Sequence, residues 1–240
     1  SLLSLVTQAA SPDWPSPLPA DLSLEEGAVF PLEVAVVVLN SGIDELDNRD
    51  ARHKLRTVET RLLAVGLRDV LSESNRWGPV RVLPSASQFA GLTLTGRVIH
   101  SDGRDLVLKL RAVDATGRIW LRGDFRARAT PGDYHAPMTE DPFRPLLVAV
   151  ANQLAATASS LPADALTRLN QVARLRYAAE LAPDFFADYL ATVDGRYVLR
   201  RLPADNDPML ARIDRIRQQE ALFIDTVDEQ YVDLMNSLGP

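Results

Sequence analysis

The chain has 240 residues, of which 46% are hydrophobic, and this is enough for a substantial core in one or two small domains. Its formal net charge of -6 argues against nucleic-acid binding, because phosphate binding depends on clustered positive charge. The chain contains no cysteine, which excludes disulfides, thiolate nucleophiles and Cys-ligated zinc. No apolar run in the sequence approaches the roughly 20 residues that span a bilayer.

Residues 1–30 are predicted to form a flexible, Pro-rich tether. Small and apolar residues open this segment, and a spacer follows with prolines from Pro12 to Pro19. A chain that begins at Ser1 without Met is typical of a processed or trimmed protein. One expectation is a periplasmic bacterial lipoprotein, whose lipid-bearing cysteine lies just upstream and anchors the protein in the outer membrane. The other is an ordinary cytoplasmic protein.

Residues 31–130 are predicted to form an α+β domain. Its first segment, Pro31–Asn40, is a continuous Val-rich run, typical of a strand that is buried on both faces. From Ala51 to Ser72 the apolar residues recur mostly at three- and four-residue intervals, which predicts an amphipathic helix. Gly66 inside that helix indicates a bend or a close contact. A short second strand is predicted at Val80–Val82.

The stretch Leu92–Ala129 alternates apolar with polar side chains in three segments, which are separated by the Gly-containing turns "SDGR" and "DATGR". Because side chains alternate along a strand, this pattern predicts an antiparallel three-stranded meander with one apolar and one polar face. The polar face is rich in basic residues and is interpreted either as a cationic surface for an acidic protein partner or as an ordinary solvated sheet face. The residues assigned to the protein-binding surface are Arg97, Arg111, Arg122 and Arg126.

Residues 141–240 are predicted to form a C-terminal helical domain, which is separated from the sheet by a loop rich in proline. In the last helix, Asp207 is a plausible N-cap and Pro208 occupies the first helical position. The shorter predicted helices are Leu146–Ser160, Ala163–Leu181 and Pro183–Thr192, the last of them followed by an extended link.

The last helix has apolar residues at alternating three- and four-residue spacings, interrupted by Glu220. Such a seam either pairs with another chain, which allows for a homo-oligomer, or closes the core of its own helical half. The sequence leaves both interpretations open. The residues assigned here to a protein-binding surface are Phe223, Val227, Tyr231 and Leu234.

The sequence contains no recognisable catalytic or metal-binding motif. Its three histidines, His53, His100 and His135, fall in different predicted elements. His135 lies in an acidic loop, but the spacing there matches no set of metal ligands. The carboxylates Asp225 and Glu229 are interpreted as an exposed acidic helix face. The sequence therefore predicts a protein that is not an enzyme and that uses neither a cofactor nor a metal.

The order strand "VAVVVLN", helix "VETRLLAVGLRDVL", strand "VRVLP" and a meander that begins near Thr95-Gly96 resembles a recurring bacterial envelope domain. That domain is found in the N-terminal part of the TolB translocation protein, in the curli-secretion lipoprotein CsgG and in the penicillin-binding-protein activator LpoB. The resemblance covers residues 31–129 and implies a non-catalytic adaptor, without transferring any site residue. The helical half departs from the TolB pattern, in which a β-propeller follows, and from the pore-forming hairpins of CsgG.

The functional prediction is a non-enzymatic accessory or assembly protein of a bacterial cell-envelope complex, acting through protein–protein contacts. Its partners are expected to be envelope proteins, with no nucleic acid, and it is expected to touch the membrane only through an N-terminal lipid anchor. The alternative is a periplasmic binding protein that holds a small molecule or a cell-wall fragment in a cleft between the two halves.

Overall fold

The structure is a computed structural model that describes residues 14–42, 51–87, 90–134, 141–162 and 164–238, without the side chains of 51–55, 131, 232 and 234–238. Its centre is a five-stranded mixed sheet, which confirms the predicted α+β class. The strands lie in the order β2-β1-β3-β4-β5. Their bounds are β1 (Val34–Val37), β2 (Val80–Leu83), β3 (Leu92–Ser101), β4 (Asp105–Asp114) and β5 (Ile119–Arg128).

Strand β1 lies between β2 and β3 and pairs in parallel with both. All four of its residues are buried, as expected for a strand that is covered on both faces. Helix α1 (Ala51–Glu73) precedes β2, so β1, α1 and β2 form a parallel unit with a helical crossover. The predicted helix from Ala51 is thereby confirmed.

Strands β3, β4 and β5 form the predicted antiparallel meander. Gly103 and Gly117 occupy its two turns with φ of +82° and +91°, a conformation that favours glycine. The buried carboxylate of Asp114 stabilises the second turn, since it accepts hydrogen bonds from the Thr116 backbone N–H at 2.8 Å and from the Trp120 indole Nε1 at 2.7 Å. These bonds fix the position of the β4–β5 connection.

One face of the sheet packs against α1 and α2 (Arg144–Ser159) and forms the larger core. The two helices approach closely at Gly66, where an added Cβ would lie 2.9 Å from Cδ1 of Leu147. The glycine predicted to mark a bend or a close contact therefore marks a contact between helices. Although α2 belongs by sequence to the helical half, its buried residues share this core with the sheet.

The opposite face of the β1–β2 half packs against helices α3 (Ala165–Leu181), α4 (Pro183–Phe186) and α5 (Pro208–Leu238). A second core lies here, between Ala35 of the sheet and apolar residues of the three helices. Asp207 caps α5 as predicted, because its carboxylate accepts hydrogen bonds from the backbone N–H groups of Met209 and Leu210 at 2.9 and 3.0 Å. The predicted domain boundaries themselves stay predictions.

The prediction of a helix over Pro183–Thr192 is wrong beyond its first turns. After α4 and a short 3-10 turn, the chain forms a hairpin of β6 (Leu190–Val193) and β7 (Arg196–Leu199). Asp194 and Gly195 form its two-residue loop with φ of +51° and +73°. An Asp-Gly pair next to β-branched residues favours a tight hairpin turn over a continuing helix. Within the predicted extended link, Arg196–Leu199 form β7.

The described part of the predicted tether, residues 14–30, lies against the domain. Its Leu18 backbone N–H donates to the carbonyl of Arg126 at 2.9 Å, at the free edge of β5. Further along, Asn152 of α2 bonds the backbone at Ser23 and Glu25, at 2.9 and 3.0 Å. The apolar side chains Leu18, Leu22 and Leu24 pack against the larger core. This segment therefore passes from the polar face of the sheet, around β5, to the helical face.

Candidate docking face

Five charged side chains cluster on the face of the meander that points away from the larger core, and all five are exposed. The strand register aligns them in two rows. Arg97 of β3 pairs with Lys109 of β4, which pairs with Asp124 of β5, and Arg111 of β4 pairs with Arg122 of β5. We call these five residues the docking face.

The docking face places like charges directly opposite each other in two cross-strand pairs, Arg97 with Lys109 and Arg111 with Arg122. Such pairs destabilise a sheet, because their side chains lie close together. Lys109 has an acidic neighbour in Asp124 at 3.6 Å. Within the described residues, the three arginines have no acidic partner. The face therefore keeps a net positive charge on a chain whose formal charge is -6.

A shallow recess of about 950 Å³ lies over the docking face. All five charged residues line it, together with Pro15 of the N-terminal segment and Asn40 after β1. Gly96 and Gly123 also line the recess, with backbone atoms alone. An anionic group that enters the recess would meet four cationic side chains and one carboxylate.

Arg126 was assigned to the same surface by the sequence, but the structure gives it another environment. Its guanidinium contacts the buried carboxylate of Asp105 at 2.9 Å, and Arg128 contacts the same carboxylate at 3.0 Å. Burial raises the pKa of Asp105, but the bonds and charges of Arg128 and Arg126 outweigh burial and hold that pKa below its usual value. Arg126 therefore stabilises the edge of the sheet, whereas Arg97, Arg111 and Arg122 line the recess.

The N-terminal segment covers the part of the polar face next to the recess. The Trp14 ring lies 4.4 Å from the His100 ring, and the Arg126 guanidinium lies 5.3 Å from Trp14. Val107, the cross-strand partner of both His100 and Arg126, is only 1% exposed although it points to the polar face. The segment thus forms one border of the recess, where Pro15 lines it.

Helix α5 is fastened to the sheet by ion pairs. Arg81 of β2 holds Asp225 at 2.8 Å, and both Arg81 and Arg217 contact Glu33. Burial raises the pKa of Glu33 despite the two arginines beside it. A hydrogen bond of 2.6 Å from the Tyr177 hydroxyl to Glu220 adds a contact with α3. The carboxylates of α5 that face the sheet therefore serve to position the helix.

Some side chains of the apolar seam predicted along the last helix pack against the rest of the fold, and others face solvent. Ile213 is buried in the second core, and Tyr231 is partly buried beneath the guanidinium of Arg61 at 3.9 Å. Phe223 and Val227 remain exposed, at 69% and 39%. The side chain of Leu234 lies outside the described residues. The structure therefore leaves Phe223 and Val227 accessible and directs Tyr231 toward α1.

A cavity of about 380 Å³ lies between β2 and α5, where the two predicted halves meet. Its apolar lining comes from both elements, and its polar groups include Arg61, Glu220 and Asp228. Asp228 is already paired with Arg68 at 3.3 Å and faces Arg61 at 3.7 Å. The cavity is large enough for a small organic molecule.

The structure shows no candidate metal site in the parts that it describes. No cluster of three or more His, Asp or Glu side chains suited to a metal occurs there. His100 lies 3.1 Å from Asp102, and its ring packs 4.4 Å from the ring of Trp14. The side chains of His53 and His135 lie outside the described residues. Likewise, no described helix is long and apolar enough to cross a membrane.

The sequence places Lys109 and Asp124 on the polar face of the meander, although neither is among the residues assigned to the protein-binding surface. Both follow from the alternation that identified the arginines, since they occupy polar positions of β4 and β5 in the same row as Arg97. The cross-strand register that brings them together required the structure.

No protein-family model and no curated protein matches the chain. Among solved structures, a variant PelC dodecamer from Paraburkholderia phytofirmans is similar at 18% identity, with coverage of 57% of this chain and 92% of that chain. The TM-score is 0.30, and a likeness at that level carries no argument about fold or function. The resemblance to the TolB, CsgG and LpoB domains stays a prediction.

Proposed function

We propose that this protein is a non-enzymatic accessory or assembly protein of a bacterial cell-envelope complex, and that it captures an acidic protein partner with its docking face. The proposal places it in the periplasm with an N-terminal lipid anchor in the outer membrane. The observation that carries the binding role is the register, which places Arg97 opposite Lys109 and Arg111 opposite Arg122. Like charges in these positions lower the stability of the sheet, so a partner that neutralises them would bind favourably.

The exposed position of the docking face agrees with this role. Its arginines have planar guanidinium groups that suit paired hydrogen bonds to carboxylates. The recess is open to solvent and offers these groups side by side on neighbouring strands. An acidic segment of a partner protein would replace the missing negative charge without displacing any ion pair of Arg97, Arg111 or Arg122 within the described residues.

The test is in-cell crosslinking and affinity capture of the wild-type protein and of the double variant Arg111→Glu/Arg122→Glu, followed by mass spectrometry. The double variant keeps a like-charged cross-strand pair, so its folding transition is expected to match the wild type. We expect envelope proteins to crosslink to the wild type and to be lost from the variant. Equal recovery of the same partner by both proteins would refute the docking face.

A second candidate function rests on the cavity between β2 and α5, which is the cleft that a binding protein for a small molecule or a cell-wall fragment would use. Thermal unfolding in the presence of soluble cell-wall fragments tests it. A ligand that binds only the folded state raises the unfolding temperature as its concentration rises. The matched control is Ser85→Trp, which narrows the cavity from the exposed segment after β2 and is expected to abolish any such shift.

A further inference from the structure

Helix α5 exposes four large apolar side chains, of which Phe223 and Val227 also border the cavity against β2. Ile216 is 41% exposed, Leu222 68%, Phe223 69% and Val227 39%. Leu222 and Phe223 lie near the middle of the helix, with Ile216 before them and Val227 after them. Large apolar side chains that stay exposed on one helix favour a binding surface, and Leu222 and Phe223 are the most exposed of the four.

The charges on the same helix are divided by sign along its length. Arg212 and Arg215 lie before the apolar residues, whereas Glu229 and Asp233 lie after them, and all four are exposed. Within the described residues none of these four has a partner, in contrast to the carboxylates that hold α5 against the sheet. One end of the outward face is therefore positive and the other end is negative.

We infer that α5 pairs antiparallel with α5 of a second copy of this chain. A two-fold axis near Leu222 and Phe223 would place Arg212 of each copy opposite Asp233 of the other. The same register brings Arg215 beside Glu229, again twice. A two-fold contact must be complementary to itself, and a helix with opposite charges at its two ends and an apolar centre meets that condition in the antiparallel direction. A parallel pair would bring like charges together.

The length of the face suits such a contact. From Arg212 to Asp233 the helix extends about 30 Å at 1.5 Å per residue. Charges that match across an interface select the orientation, and apolar side chains at its centre supply the contact area. This surface is separate from the docking face, so the dimer does not depend on the proposed function.

The first test measures mass in solution by analytical ultracentrifugation. The wild type is expected to form a dimer of twice the 26.4 kDa chain. The double variants Arg212→Glu/Arg215→Glu and Glu229→Arg/Asp233→Arg are each expected to dimerise at least about tenfold more weakly, since each makes both ends of the face alike in charge. A mixture of the two double variants restores complementarity and is expected to dimerise again. A monomeric wild type, or variants that dimerise as well as the wild type, would overturn the inference.

The second test fixes the direction of pairing. Because the chain has no cysteine, single cysteines can be introduced without a background. The proposed register places Gln219 opposite Thr226 of the other copy, so Gln219→Cys mixed with Thr226→Cys is expected to form a mixed disulfide. Two copies of Gln219→Cys would hold their cysteines about 10 Å apart along the axis, beyond the roughly 7 Å that a disulfide allows. Preferential self-crosslinking of Gln219→Cys would show parallel pairing and contradict the inference.

The docking-face variant Arg111→Glu/Arg122→Glu serves as the matched control in both tests. It changes two exposed arginines outside α5 and is expected to dimerise like the wild type. Conversely, the α5 double variants are expected to retain the partner captured by the docking face. If the wild type captures its partner but stays monomeric, the dimer inference fails and the proposed function stands. If it dimerises but captures no partner, the proposed function fails and the dimer inference stands.

Discussion

Replacement of Arg111 by Glu is expected to make the protein more stable while it weakens partner capture. In the wild type, Arg111 and Arg122 are register partners on β4 and β5. Like charges in such positions destabilise a sheet and opposite charges stabilise it, by about 0.2–1 kcal/mol for each pair. Conversion of the Arg–Arg pair into a Glu–Arg pair therefore raises the free energy of unfolding by about 1 kcal/mol, or the unfolding temperature by about 2–4 °C.

Urea unfolding followed by circular dichroism measures this gain, and repetition in high salt should reduce it, because both side chains are exposed and screened by salt. The matched control is Arg196→Glu on β7, whose register partner is Val193, so no like-charge contact is relieved. A loss of stability in Arg111→Glu, or an equal gain in Arg196→Glu, would refute the reasoning that like charges on the docking face lower the free energy of unfolding.

Three further substitutions test the supports of the docking face by urea unfolding. Asp114→Asn should lower stability by about 2 kcal/mol, because its amide would direct N–H groups at the Trp120 indole; the loss should shrink when Trp120 is also changed to Phe. Gly96→Ala should cost about 2–3 kcal/mol, since an added Cβ would lie 2.6 Å from the Lys109 carbonyl oxygen, and an unchanged midpoint would contradict that geometry. Asp105→Asn should cost about 2 kcal/mol at neutral pH. Because the folded pKa of Asp105 is lowered, its contribution is present above the unfolded value of about 3.9 and is lost as pH falls through the folded pKa, so a deficit that persists in strong acid would exclude the ionic origin.

The meander could be predicted because its determinants are local. Alternation gives the two faces, and the turns around Gly103 and Gly117 set where each strand ends. The same reasoning would have found the β6–β7 hairpin, because Asp194-Gly195 is also a tight-turn pair, but the preceding residues suggested a continuing helix. The insertion of β1 between β2 and β3 depends on contacts between distant segments, which no local pattern specifies.

The sequence treated Arg126 and Arg111 alike, since both occupy polar positions of an alternating strand. Their roles differ because Asp105 and Trp14 lie beside Arg126, whereas Arg111 faces Arg122 and the recess. Helix α5 shows the same limit. Three- and four-residue spacing fits both Tyr231, which turns toward α1, and Phe223, which faces solvent. Only the position of the rest of the fold distinguishes them.

The path of the N-terminal segment around β5 has a practical consequence for anyone who shortens this chain. A chain cut before Pro31 would lose the backbone contact of Leu18 with Arg126 and would uncover the apolar surface beneath Leu18, Leu22 and Leu24. A free strand edge beside uncovered apolar surface is a template for aggregation. Residues 14–30 should therefore be treated as part of the folded unit, so that a recombinant protein remains soluble and an affinity tag is attached ahead of Trp14.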